Sequence, residues 1–322
     1  MKGLIVDDST PDKPRLMLAH IPKPKISESE LLIRVRVSGL NRSDLGLTPD
    51  HYAPNTVVGT ELAGEVVEVG ASCSGFSEGD RVMALSSGSH AEFAKVDHRI
   101  AVKLPDDIDW QTAASLPAWF MTAYDALITQ GKLRAGETVL IQGITSGVGQ
   151  AAAQLAKLNG AKTVIGVARS QDKLDQLTSE EVDQTFAMKD GWAEAVREAT
   201  GGQGVDLIID MVGGGALNGN LQALAICGRM VAVGRLGGAS DTLDIGMLAF
   251  KRAQITGVTF RSRNIEEKAA IARAFASHII PLVVAGKLKP RIDRIAQLAE
   301  AGAAQELMRD NKHFGKILLA IV

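Results

Sequence analysis

The stretch TVLIQGITSGVGQAAAQLAK, residues 138–157, runs a short apolar segment, a glycine-spaced turn and a small-residue helix together without a break. That order constrains the fold strongly. The apolar segment reads as a buried strand, and Val148, Ala151, Ala152, Leu155 and Ala156 fall on one helical face that must pack on a sheet. The alternation continues through KTVIGVA, VDLIIDMVG, ALNGNLQALAICG, RMVAVGRLGG and AQITGVTF. Short apolar strands separated by helices of about ten residues predict a parallel sheet with crossover helices. The glycines have separate tasks in such a turn. Gly143 allows the tight bend, Gly147 lets backbone approach a pyrophosphate, and Gly149 lets helix lie against strand. The helix N-terminus then offers free N–H groups and a positive dipole end to an anion. Ser146, Gly147, Val148 and Gly149 are therefore candidate dinucleotide contacts.

The end of the next strand points to which dinucleotide. A site for NAD commonly places Asp or Glu about 20 residues past the loop, on the ribose 2′-hydroxyl. This chain has Arg169 and Ser170 there, with Lys173 close behind. A carboxylate would repel a 2′-phosphate, whereas guanidinium, hydroxyl and ammonium attract one. NADPH is the expected cofactor.

The first third has a different texture. ELLIRVRVSGL, residues 30–40, alternates Leu32, Arg34 and Arg36 against Ile33, Val35 and Val37, the period of a half-buried strand. ELAGEVVEVG and GDRVMAL continue in the same style. The last sixty residues hold two amphipathic stretches, EEKAAIARAFASHIIPLVVAG and IDRIAQLAEAGAAQELMRD, and a strand-like KILLAIV. The tail resembles the first third, so the expected order is a β-rich domain over residues 1–120, a sheet domain over 121–262, and a return over 263–322.

The charge balance, 35 basic against 37 acidic residues for a net −2, gives no footing for nucleic acid or an anionic membrane. The two cysteines, Cys73 and Cys227, form no metal-binding pattern and read as unpaired buried thiols. The opening residues lack a signal-peptide core and no apolar run approaches ~18 residues, so a cytoplasmic location is expected.

SGLNRSDL, VVGTELAGEVVEVG, GDRVMAL, SLPAWFMTAYDAL, RAGETVLIQGITSGVGQAAAQLAK, FKRAQITGVTFRSR and GKILLAIV together resemble the medium-chain dehydrogenase/reductases, in particular the zinc-independent quinone oxidoreductase (zeta-crystallin-like) branch. The resemblance covers nearly the whole chain. It implies an α/β protein with a GroES-like β-rich catalytic domain built from both chain ends, a Rossmann-type doubly wound domain between them, and a homodimer paired through the edge strand AQITGVTF. Residues matching the family's active-site cleft are Asn41, as a donor to a carbonyl oxygen, Tyr52, as an aromatic wall or phenol donor, and Asp44, either in the cleft or orienting its own loop. For the cofactor the match adds Thr122, Phe186 near the adenosine, and Arg261, Ser262 and Lys312. His90 reads as structural.

Zinc-dependent members of the superfamily show Gly-His-Glu where this chain has Gly59, Thr60 and Glu61, and carry a cysteine near Asp44. With neither donor present, no catalytic metal is expected. Without a Lewis acid, hydride delivery to an already electrophilic acceptor remains feasible. The leading expectation is NADPH:quinone reduction. The alternatives are reduction of an enone, alkenal or enoyl-thioester and, in another class, a structural or RNA-associated NADPH-binding protein.

Overall fold

The computed structural model describes residues 1–7, 15–46 and 56–321. They divide into two compact units, Met1–Ala118 with Asn264–Val322, and Trp119–Arg263. Strands of the first unit are β1 (Lys2–Asp7), β2 (Arg15–His20), β3 (Glu30–Leu40), β4 (Leu62–Val69), β5 (Arg81–Ala84), β6 (Phe93–Asp97) and β7 (Ala101–Lys103). The second unit contributes β8 (Thr138–Gln142), β9 (Thr163–Ala168), β10 (Gln184–Ala187), β11 (Val205–Asp210), β12 (Leu224–Ala232) and β13 (Gln254–Gly257). The chain then returns to the first unit with β14 (Ile292–Gln297) and β15 (Lys316–Ala320).

In the first unit the sheet runs β14-β15-β3-β4-β5-β7, with β6 also paired to β3. The alternation in β3 is realised: Ile33, Val35 and Val37 are buried, and Arg34 and Arg36 are exposed. Leu32, which the alternation put outside, is buried as well. Leu31, Ile33, Leu62, Val66, Val82, Ile317 and Leu319 pack into one core, each stabilising the unit by about 1.5–3 kcal/mol relative to exposure. β15 lies antiparallel to β3 with Ile317 opposite Leu40, and β4 pairs with β3 through Leu62 and Ser38. The C-terminal strand thereby brings Lys316 to the end of β3, where Asn41 begins the next turn.

The second unit is a six-stranded sheet of order β10-β9-β8-β11-β12-β13, with every pairing parallel. This is a doubly wound Rossmann-type arrangement, whose strand order reverses between β8 and β11. Crevices outside the carboxyl ends of the strands at such a reversal are where ligands bind. A short helix, α1 (Trp110–Ser115), belongs to the first unit; α2 (Thr122–Tyr124) sits between two wider helical turns of the second. The glycine-loop helix is α3 (Gly147–Leu158), whose Ala151, Ala152, Leu155 and Ala156 are all buried.

Three local expectations are corrected. The helix read across ALNGNLQALAICG stops at Ala223, and β12 already starts at Leu224. The segment Ile292–Gln297, read as the start of one amphipathic stretch, is β14, because β15 offers it a parallel edge; a helix starts only at Ala301. Cys227 is exposed rather than buried, at a left-handed φ of 61°, while Cys73 is partly buried; neither is in a disulfide.

Candidate active site

Two clusters carry the chemistry, one in each unit. In the second unit, β8 ends at Gln142 and the chain bends through Gly143, at φ +79°. Ser146 caps α3, its hydroxyl accepting from the N–H of Gly149 at 3.2 Å. The first N–H groups of a helix have no intrahelical acceptor, so those of Gly147 and Val148 remain for an anion. A Cβ on Gly149 would sit 2.5 Å from the Gly143 carbonyl oxygen, which shows how closely helix and turn are pressed together. A Cβ on Gly147 would meet the Trp119 ring at 1.8 Å. The missing side chain at 147 thus makes room for an indole, a role the turn geometry alone does not reveal.

Arg169, exposed, and Ser170 and Lys173, half-buried, follow the end of β9. Ser170 caps the short helix α4 (Gln171–Leu174). Phe186 lies on the neighbouring β10, opposite Val167, and its ring is partly taken up by the hydrophobic core. Thr122 lies on α2, which packs against α3. The glycine loop after β8 and Arg169, Ser170 and Lys173 after β9 fit a phosphorylated dinucleotide: free N–H groups and a dipole for the pyrophosphate, and cations for a 2′-phosphate. Arg261 and Ser262 lie instead in an exposed turn beyond β13, where Arg261 donates its N–H to Thr259. Lys312, in the first unit, is exposed and paired with Asp310 at 2.9 Å. Across the β8–β11 reversal, Asp210 faces Gln142 and accepts from the N–H groups of Val212 and Gly213 at 2.7 and 3.1 Å. Burial pushes its carboxyl above the usual range.

The cluster in the first unit is made of buried side chains. Lys316 and Glu61, both with no exposed side-chain surface, form an ion pair. Lys316 also donates to Asn41 Oδ1 at 2.7 Å. Glu61 accepts from Asn41 Nδ2 through Oε1 and from the Ala118 N–H through Oε2, each at 2.7 Å. A Cβ on Gly39 would fall 2.2 Å from Glu61 Oε1 and 2.7 Å from Lys316 Cε; only glycine admits the pair at this height of β3. Burial pushes the Lys316 ammonium below its ordinary value, opposed by the Glu61 carboxylate.

Asp44 is also fully buried. Its Oδ2 accepts from the Asn41 N–H at 2.7 Å, and its own carbonyl oxygen accepts from Gln305 at 2.9 Å. Of the two roles expected for Asp44, the loop-orienting one matches this geometry. His90 is buried, with Nδ1 2.8 Å from Ser38 Oγ and Nε2 3.7 Å from Asp44 Oδ2. Asn41 is nearly buried too, its amide nitrogen donating to Glu61 and Thr60 and its oxygen accepting from Lys316. Tyr52 lies outside the described residues. Glu61, Lys316 and Trp119 did not emerge from the sequence as site residues. A lysine opening an apolar strand, in GKILLAIV, was the visible signal for the first two; nothing local marks Trp119.

Two family profiles match the chain: an alcohol dehydrogenase GroES-like domain over residues 27–106 and a zinc-binding dehydrogenase over residues 147–276. A solved structure described as a probable oxidoreductase from Mycobacterium abscessus is 30% identical over 99% of this chain and 98% of its own, with a TM-score of 0.84. The chain is a medium-chain dehydrogenase/reductase. This reductase-family chain also matches a quinone oxidoreductase of Pseudomonas syringae pv. Tomato and mycobacterial Rv1454c complexed with NADPH. Each is 26% identical over 99% of this chain and 100% of the other, with a TM-score of 0.87. Among curated proteins, the reducing polyketide synthase hmp8 of Hypomyces subiculosus is 32% identical over 92% of the chain. The chain spans about an eighth of that relative's length, 13%.

One profile's description implies zinc, and the residues present do not fit it. The Glu61 carboxylate is held by Lys316, Asn41 and the Ala118 N–H, the neighbouring position is Thr60, and Asp44 is tied to backbone. Among the described residues no group of three or more His, Cys, Asp or Glu is placed to hold a metal ion. No helix among them is long and apolar enough to cross a membrane.

Proposed function

We propose that this medium-chain dehydrogenase/reductase is an NADPH-dependent, zinc-independent reductase of conjugated carbonyl acceptors, with quinones as the leading class. The observation that carries this reading is the buried Lys316–Glu61 pair, which holds a carboxylate next to Thr60 where zinc-dependent relatives of the resemblance present a metal ligand. A chain without that Lewis acid has no strong means of acidifying an alcohol, so an acceptor that is electrophilic already suits it best. When bound, the nicotinamide supplies a hydride. The α3 N-terminus holds the pyrophosphate, while Arg169, Ser170 and Lys173 select the 2′-phosphate. The family likeness to a structure complexed with NADPH supports the same choice.

A second reading, reduction of an enoyl-thioester, is favoured by the similarity to reducing polyketide synthases. Oxidation of NADPH followed with a quinone panel, short enals and an enoyl N-acetylcysteamine thioester separates the two. Turnover confined to the thioester replaces the quinone reading. Preference for NADH, or turnover that depends on stoichiometric zinc, removes both. Tight NADPH binding with no acceptor reduced leaves the structural role. The cofactor assignment predicts that Arg169→Glu with Lys173→Glu raises the NADPH dissociation constant about 10- to 100-fold, the scale of one or two charged hydrogen bonds, and leaves NADH binding nearly unchanged.

We also propose a homodimer formed through β13. All four residues of that edge strand are exposed, and Phe250 and Ile245 on the preceding helix, Ile245–Lys251, are 77% and 70% exposed. Sedimentation of wild type and Phe250→Asp tests it: a wild-type monomer rules the dimer out.

A further inference from the structure

Helix ends fray, and glycine has more backbone freedom than any other residue. α3 opens on Gly147, so its first turn cannot be held by a side chain at that position. Two contacts from outside the turn hold it instead. On one side Gly149 is pressed on the preceding bend. A Cβ there would sit 2.5 Å from the Gly143 carbonyl oxygen and 2.9 Å from Ile144 Cα. On the other side the six-membered ring of Trp119 fills the place that a side chain at 147 would take. Trp119 is only 8% exposed, whereas Gly147 and Val148 are half-buried, with their backbone within reach of a ligand. The indole is carried by the wider helical turn Pro117–Met121, and the stretch that follows it, α2, packs along α3. Wide turns of this kind are rare and recur at functional sites.

We infer that Trp119 is a positioning residue of the dinucleotide site: its indole fixes the first turn of α3 so that the N–H groups of Gly147 and Val148 point together at the pyrophosphate. This rests on the cofactor proposed above. Donors that are already ordered lose little freedom when the anion arrives, so the binding is tighter. A ring on that flank also keeps water away, and each N–H to phosphate bond is stronger for it. The side chains of Arg169, Ser170 and Lys173 act on a different part of the same ligand, the ribose phosphate. The two contributions are therefore separable: one is made by charged and polar side chains, the other by a backbone turn whose rigidity comes from Trp119.

Calorimetry with two ligands measures the separation. NADP⁺ carries both the pyrophosphate and the 2′-phosphate; adenosine 2′-monophosphate carries only the latter. Trp119→Leu should weaken NADP⁺ binding about tenfold, the scale of one hydrogen bond to a charge. It should leave adenosine 2′-monophosphate within about twofold of wild type, as for a distant site. Trp119→Phe, which keeps an aromatic ring, should hold both ligands within about threefold. A second measurement leaves the turn untouched. Replacing the other two tryptophans, Trp110→Phe with Trp192→Phe, makes Trp119 the sole indole emitter; NADP⁺ should shift its emission and adenosine 2′-monophosphate should not. Should Trp119→Leu fail to fold, the emission decides alone. Unchanged NADP⁺ affinity in Trp119→Leu, an equal loss of both ligands, or an emission that stays constant at saturating NADP⁺ overturns the inference, while wild-type NADP⁺ binding keeps the cofactor reading standing. A wild-type chain that binds neither NADP⁺ nor NADPH overturns both.

Discussion

The two units build their sites from opposite materials. The dinucleotide site of the second unit is mostly backbone: a bend at Gly143, a capped helix and N–H groups that need no side chain. The first unit places a lysine, two carboxylates, an asparagine and a histidine out of water, with the lysine, Glu61 and the asparagine bound to one another. Backbone sites depend on what is missing, so a single added methyl group damages them. Buried-charge sites depend on completeness, because each group left unpaired in a low dielectric is costly.

The largest effect should come from the sealed cluster. Lys316→Met leaves the buried Glu61 side chain short of its cation, and should cost about 3–5 kcal/mol of stability in denaturant unfolding. Adding Glu61→Leu should return much of that loss, since an apolar pair can replace an ionic one. If the single variant unfolds no more easily than wild type, the distinction between the units fails.

Next in size is Gly147→Ala, whose new methyl runs into Trp119. Overpacking of this kind costs about 1–3 kcal/mol. Trp119→Ala should make the added methyl tolerable, so the double variant should be more stable than the sum of the single effects implies. A strictly additive cycle would mean that the indole is not what excludes a side chain at 147. Ser146→Ala removes the cap of α3 and should cost about 1 kcal/mol, seen as a lower thermal midpoint together with weaker NADPH binding.

The smallest effect concerns the surface of the first unit. The side chain of Arg99 beside Asp97 holds that carboxyl below its ordinary value of 3.8. A carboxyl lowered on folding stabilises the chain above its unfolded value, and the contribution is lost as pH falls through the folded one. Asp97→Asn should therefore melt slightly lower than wild type at pH 6, and the two curves should converge as the medium is acidified below 3.8. A gap that widens in acid contradicts the sign.

Much of the second unit was legible because its information is local. Strand, bend and helix follow one another in residues 138–157, and Arg169, Ser170 and Lys173 come at the distance the next strand dictates. Local reading failed where an element's state depended on a neighbour: Ile292–Gln297 became a strand because β15 offers an edge. Nor does local spacing foretell that both amide protons of Asn41 are engaged within the first unit, on Glu61 and Thr60. Asp44 looked equally suited to cleft and loop until its carboxylate was found on the Asn41 N–H.

By itself the sequence determined the doubly wound sheet, the glycine loop and the basic patch, since periodicity, turn chemistry and short spacings are written within a few tens of residues. Tertiary structure alone decided that Lys316 meets Asn41, 275 positions away, and that Trp119 occupies the space beside Gly147. Those facts depend on strand pairing across the chain and on the cost of burying charge, which forces each polar group toward whichever partner the fold brings within reach.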